Sequence, residues 1–253
     1  MPNKVLWNPS SELIDTSHIT QFINEVNQEF GLNITSYSEL HEWSITHIDH
    51  FWKKVLSFSD IIYKGEFNKV IDDRDRMPGG KWFRGIELNY AENLLKFNND
   101  KLAIESYNED GSRVTLTYSD LNKQVTCLSS YLKSVGVKKG DRIAAVMPNI
   151  PETIIMMLAS SSLGAIWTSC SPDFGVNAIL DRFKQVGPNV LLATDGYIFK
   201  GKYFSIENKI QKIANNLPGL IKIVGVNYVN KFNLAHSSDK IILWDDIIRL
   251  NKV

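Results

Sequence analysis

Two stretches have the spacing of a phosphate-binding apparatus. Gly196–Lys202, GYIFKGK, matches G-x-x-x-x-G-K, and Ile241–Asp245 is an apolar run closed by an acid that could hold magnesium. A loop of that kind wraps phosphate in backbone N–H groups and follows its lysine with a metal-binding Ser or Thr. Here the next residue is Tyr203 and the interior is the bulky Tyr197-Ile198-Phe199-Lys200, two departures that count against a nucleoside triphosphatase. A second candidate is the polar loop Ser171–Gly175, SPDFG, placed directly after an apolar run. Three histidines cluster early, His41, His47 and His50, the last two at i, i+3, where a solvated helix face is expected. The cysteines Cys127 and Cys170 are isolated in sequence and read as structural thiols of a reducing compartment. There is no G-x-S-x-G elbow, no paired-cysteine zinc pattern and no G-x-G-x-x-G after a strand. The residues by themselves therefore give no catalytic set and no metal site.

The elements that must position these residues centre on Gly140–Gly175, GDRIAAVMPNIPETIIMMLASSSLGAIWTSCSPDFG. Lys139-Gly140-Asp141 is turn chemistry, and Arg142–Met147 is a short apolar run without alternation, as expected of a strand covered on both faces. Asn149-Ile150-Pro151-Glu152 is read as a capping box with Pro in the first turn, opening a buried helix Ile150–Leu163 that Gly164 stops. Ala165–Cys170 is the next strand. A strand–helix–strand unit of this length implies parallel pairing, and in such sheets ligands bind beyond the carboxyl ends of the strands. Downstream, Val176–Val186 predicts a helix, Asn189–Thr194 a strand, Tyr203–Asn216 a helix, Ile221–Val226 and Lys240–Trp244 strands, and Asp245–Leu250 the start of a helix. Alternating strands and helices from Arg142 onward predict a doubly wound, mostly parallel α/β layer.

Upstream, Asp15–Thr16 open a helix whose stripe is Ile19, Phe22, Ile23, Val26 and Phe30, closed by Gly31. Ser36-x-x-Glu39 reads as a capping box, and Thr46-x-x-Asp49 as the start of a further helix. Gly65–Leu95 lacks periodicity and reads as a strap anchored by Trp82, Phe83 and Tyr90. Leu102–Asn108 and Arg113–Tyr118 form a hairpin around Glu109-Asp110-Gly111, and Thr117-x-x-Asp120 caps a helix. The expected organisation is a helical and extended segment, residues 1–95, packed on the α/β layer of residues 96–253.

Composition narrows the function classes. The chain has 253 residues, 43% of them hydrophobic, with six Trp and twelve Phe, ample for a core. Charges balance at 28 against 28, which argues against nucleic-acid or membrane-surface binding driven by bulk charge. The longest apolar runs fall short of a membrane span, no signal peptide is seen, and Asn33-Ile34-Thr35 is read as a chance sequon, so a cytoplasmic protein is expected.

Longer motifs carry a resemblance that goes further. Tyr37–Trp43 with Phe51-Trp52, MPGGKWF (Met77–Phe83) and LNYAENLL (Leu88–Leu95) resemble the N-terminal region of short-chain acyl-coenzyme A synthetases. Gly136–Trp167 resembles the early core of the acyl-adenylate-forming, AMP-dependent synthetase/ligase superfamily. SCSPDFG (Ser169–Gly175), LDRFKQVGP (Leu180–Pro188) and DGYIFKGK (Asp195–Lys202) are similar in particular to its acetoacetyl-coenzyme A synthetase branch. The resemblance implies an ATP-dependent acid–thiol ligase, with Mg2+, that joins acetoacetate to coenzyme A through an acyl-adenylate. It implies a coenzyme A phosphate near Lys202, with Ser171–Asp173 along the pantetheine path. The bland alternatives are a solvated lysine and a structural loop. The family's Ser/Thr/Gly-rich phosphate loop, acyl pocket, ribose-binding Asp and C-terminal lysine lie later than Val253. The chain is thus expected to be the first part of a longer ligase, inactive alone, with no catalytic residue of its own and the remainder of the enzyme as its partner. Another short-chain acyl-coenzyme A ligase, a P-loop nucleotidase and a non-catalytic interaction module remain the alternatives.

Overall fold

The computed structural model describes residues 6–230 and 240–250. It divides into two compact units, residues 1–88 and 89–253.

The first unit is a helical layer. Helices α1 (Ser11–Asp15), α2 (His18–Phe30), α3 (Tyr37–Thr46) and α4 (Ile48–Phe58) precede two short paired strands, β1 (Lys64–Gly65) and β2 (Ile86–Glu87). Phe22, Val26, Ile34, Leu40 and Trp43 form its core, and Phe22 meets Phe51 and Phe58 edge-on. The Ser36–Glu39 capping box and the Gly31 stop form as the sequence predicts. Two helix starts differ. The Thr16 hydroxyl donates back to the Glu12 carbonyl, so Ser17 caps α2 instead, accepting from the Thr20 N–H. Likewise the Thr46 hydroxyl donates to the Glu42 carbonyl inside α3, and α4 starts at His47 without a side-chain cap. A hydroxyl bonded to the preceding turn is not available to the next helix. The His47 and His50 rings stack at 6.1 Å. Within the irregular stretch, Trp82 packs edge-on against Trp52 and Phe83 against Phe67, while Trp82 stays exposed.

The second unit begins with helix α5 (Tyr90–Leu94) and the antiparallel hairpin β3 (Leu102–Tyr107) and β4 (Arg113–Thr117), followed by α6 (Tyr118–Ser134) behind a Thr117–Asp120 capping box. There follow β5 (Arg142–Val146), α7 (Pro151–Ser162), β6 (Ile166–Cys170), α8 (Val176–Val186) and β7 (Val190–Thr194). The rest is β8 (Gly196–Phe199), β9 (Lys202–Ser205), α9 (Glu207–Asn215), β10 (Lys222–Val226), β11 (Ile241–Leu243) and α10 (Trp244–Leu250). Five strands form one parallel sheet in the order β11-β10-β7-β5-β6, the doubly wound layer expected from the sequence.

The lack of alternation in the central strands has its cause here. Ile143 and Ala145 of β5, with Val190 and Leu192 of β7, face the core that holds Leu128 of α6, Met156 of α7 and Ile247 of α10. Ala144, Val146, Leu191 and Ala193 face the opposite core, with Phe183 of α8 and Ile210 and Ile213 of α9. Both faces are covered, so every position must be apolar. The Asn149 capping box does not form. Pro151 at the first helical position forces Ile150 into an extended conformation (φ −122°, ψ 163°), so the helix boundary falls one residue past Asn149.

Candidate functional site

The sheet reverses its winding at its centre. From β5 the chain steps to β6 on one side, then crosses back to β7 on the other and continues outward. In such sheets the crevice at the switch point, outside the carboxyl ends of the two central strands, is the ligand position. Four connections rise from that edge: 147–150 after β5, 171–175 after β6, 195–201 after β7 and 227–230 after β10.

Asp195, the first residue after β7, organises this edge. It is wholly buried, and its Oδ1 accepts from the backbone N–H groups of Tyr228 (2.9 Å) and Val229 (3.0 Å). Its own N–H donates to the Val226 carbonyl, and its carbonyl accepts from Ile206. One residue thus ties the end of β7 to the turn after β10 through its carboxylate and to the start of α9 through its backbone carbonyl. The sequence presents Asp195 only as the opening of DGYIFKGK and offers no sign of this role.

The phosphate-loop spacing turns out to be a hairpin. Gly196–Phe199 pairs antiparallel with Lys202–Ser205, Gly196 opposite Ser205 and Phe199 opposite Lys202. Lys200 (φ 50°) and Gly201 (φ 70°) form its two-residue turn, a left-handed pair of the type that tight hairpins require. The helix predicted from Tyr203 is therefore strand up to Ser205 and begins only at Glu207. The missed signal is period-two: Tyr197 and Phe204 stack face to face across the strands at 5.1 Å. A glycine in a hairpin turn with its lysine on the returning strand is not a nest at a helix N-terminus, so the P-loop nucleotidase reading falls. Lys202 stands exposed beside the turn, and the Gly201 N–H there donates to Glu109 of the β3–β4 turn at 3.5 Å.

The loop after β6 is held by a residue the sequence reading passed over. Lys209, on the first turn of α9, donates from Nζ to the carbonyls of Pro172 (2.5 Å) and Phe174 (2.8 Å). Burial pushes the Lys209 amine down, and the Asp173 carboxylate opposes this by favouring the charged form. Arg182 of α8 lies over the Phe174 ring at 5.2 Å. Ser171 and Asp173 are exposed. The readable signal was position: Ile206, Lys209, Ile210 and Ile213 lie at i, i+3, i+4, i+7, so the lysine interrupts a buried stripe. Ser171–Asp173 and Lys202 leave the same edge of the sheet, but no hydrogen bond or ion pair among the described residues joins them.

Acidic groups also gather at this edge. Burial pushes the Glu152 carboxyl up, and Asp245 at the start of α10 repels its charge further. Burial likewise raises the Tyr228 hydroxyl, with Asp110, Glu109 and Glu152 adding to the effect. A carboxyl raised in the fold favours the native state at pH values below its unfolded pKa and loses that contribution as pH rises through the folded value. Glu152→Gln should therefore raise the thermal midpoint at pH 7 and give no gain near pH 4. An equal gain at both pH values would show that ionisation of Glu152 is not what the fold penalises. Among the described residues, no group of three or more His, Cys, Asp or Glu side chains converges as metal ligands, and no helix is long and apolar enough to cross a membrane.

Comparison with known proteins agrees with this architecture. The family model described as AMP-binding enzyme matches residues 91–241, and that of the acetyl-coenzyme A synthetase N-terminus matches residues 37–94. Acetoacetyl-CoA synthetase of Xenopus tropicalis is 38% identical over 100% of this chain and 38% of its own length. Acetoacetyl-coenzyme A synthetase of Rhizobium meliloti (strain 1021) is 39% identical over 84% of this chain and 32% of its own. The solved acetoacetyl-CoA synthetase from Streptomyces lividans superposes with a TM-score of 0.89 at 33% identity, covering 97% of this chain and 38% of that one. The chain thus spans only about a third of the length of the relatives it matches.

Proposed function

This chain belongs to the AMP-binding enzyme family, and we propose that it forms part of an ATP-dependent acetoacetate–coenzyme A ligase of the cytoplasm. The observation that carries this reading is the likeness to acetoacetyl-CoA synthetases along almost the whole chain, in sequence and in fold together. In the proposed reaction a carboxylate oxygen of acetoacetate attacks the α-phosphorus of ATP and pyrophosphate leaves. The coenzyme A thiol then attacks the acyl carbon of the adenylate and AMP leaves. Magnesium would offset the charge of the triphosphate. The described residues offer it no group of three or more converging His, Cys, Asp or Glu ligands.

The part given to this chain is the reception of coenzyme A at the carboxyl edge of the sheet. Lys202, exposed beside the hairpin turn, would contact a coenzyme A phosphate, and Ser171–Asp173 would border the pantetheine arm. A phosphate held by a lysine loses a charge-assisted contact on reversal of that charge, a change of about tenfold or more in affinity. In the complete polypeptide carrying this sequence, Lys202→Glu should therefore raise the coenzyme A KM about tenfold and leave acid-dependent ATP–pyrophosphate exchange unchanged. An unaltered KM would remove Lys202 from the site. A panel of acetate, propionate, butyrate and acetoacetate, each with ATP and coenzyme A, tests the substrate. Preference for acetate or propionate would make this another short-chain acyl-coenzyme A ligase, and inactivity with every acid would point to a non-catalytic interaction module.

A further inference from the structure

Packing alone does not explain the position of Lys209. It sits on the apolar stripe of α9 between Ile206, Ile210 and Ile213, each wholly or almost wholly buried, where a leucine would fill the space without a desolvated ammonium. Its ammonium is spent instead on the main chain of another loop. The two carbonyls it binds, Pro172 and Phe174, flank Asp173, whose carboxylate is close enough to act on the amine. The Phe174 N–H turns back to the Ser171 carbonyl at 3.3 Å, and Pro172 is buried, so the loop is closed from within while Ser171 and Asp173 face outward.

We infer that Lys209 is a positioning residue: by binding the Pro172 and Phe174 carbonyls it fixes the 171–175 loop in the shape that presents Ser171 and Asp173 to coenzyme A. This rests on the reading that coenzyme A enters at this edge. The clamp is independent of the loop's own side chains, because it grips carbonyls that any residue would supply. It also links the two elements that this reading assigns to coenzyme A. The loop after β6 is tied to α9, and α9 follows directly on β9, the strand that carries Lys202. An amine in this place supplies several donors at one point and can serve two carbonyls at once, whereas methionine of similar length supplies none.

The test uses the complete polypeptide and three variants: Lys209→Met, Lys209→Arg and Lys202→Glu. Lys209→Met should speed amide hydrogen exchange across residues 171–175 about tenfold or more and raise the coenzyme A KM about tenfold. Acid-dependent ATP–pyrophosphate exchange should stay near wild type, and Lys209→Arg should restore part of both losses. A purely structural lysine would lower activity in both half-reactions together, or would change the thermal midpoint with no split between them. Either result overturns the inference, as does unchanged amide exchange in Lys209→Met. If Lys202→Glu raises the coenzyme A KM and Lys209→Met does not, the positioning role is wrong and the coenzyme A reading stands. If neither variant moves the KM, the coenzyme A reading falls and takes this role with it.

Discussion

Asp195→Ala should lower the unfolding free energy by about 3–5 kcal/mol, whereas Asp195→Asn should stay within about 1 kcal/mol of wild type. The asymmetry follows from what each oxygen does. Oδ1 accepts from the Tyr228 and Val229 N–H groups and from the Thr194 hydroxyl; Thr194, Asp195 and Val229 are buried and Tyr228 is half-buried. Alanine would leave the buried Val229 N–H and the half-buried Tyr228 N–H unpaired, each costing up to about 1–3 kcal/mol, and would open a gap beside β7. Asparagine keeps the acceptor at Oδ1. Its amide nitrogen takes the place of Oδ2, which has no hydrogen-bond partner among the described residues, so no existing bond is lost. Urea denaturation of the three proteins, with amide exchange at residues 227–230 as a local probe, measures both effects. If alanine costs no more than asparagine, the turn after β10 does not depend on this carboxylate.

What could be read from the sequence, and what could not, divides along one physical line. The central strands, α8 and the caps of α3 and α6 follow from periodicity and local capping chemistry, which act over a few residues and leave a visible pattern. The structure adds only small boundary shifts there, such as the one Pro151 imposes on Ile150. The errors cluster where a residue's partner is distant in sequence or where two local signals compete. GYIFKGK satisfies a phosphate-loop spacing and a hairpin pattern at once, and the Tyr197–Phe204 pairing decides for the hairpin. Asp195 acts on N–H groups more than thirty residues away, and Lys209 on carbonyls more than thirty residues before it. Neither partner could be found from spacing. Lys209 alone left a trace, as a charge on an apolar stripe. Ser171, Asp173 and Lys202 were singled out through long family motifs, and the structure sets them on one sheet edge without a hydrogen bond or ion pair between them.

These 253 residues assayed alone should give no acetoacetate-dependent ATP–pyrophosphate exchange above background. The acyl-adenylate step brings a carboxylate to a triphosphate and holds them in line while negative charge builds at phosphorus, which requires converging cations and preorganised N–H donors. The carboxyl edge of this sheet carries acids as well as cations. Glu152 and Asp245 lie close enough to raise the Glu152 carboxyl together with burial, and Glu109 and Asp110 act with Glu152 on Tyr228. Among the cations of the described residues near this edge, Lys209 already donates to two carbonyls and Arg182 lies over Phe174. Lys200 and Lys202 stand at a hairpin whose turn N–H meets Glu109. With Lys202 given to a coenzyme A phosphate and Lys209 and Arg182 engaged, the adenylation step needs further positive groups at this edge. The relatives are about three times the length of this chain, and in the proposed enzyme the remaining length would supply them. A chimera in which the Xenopus tropicalis enzyme provides that remainder should exchange pyrophosphate with acetoacetate, and the 253-residue protein should not. Exchange by the shorter protein alone would mean that the described edge assembles an adenylation site by itself, and the division of labour drawn from its charges would be wrong.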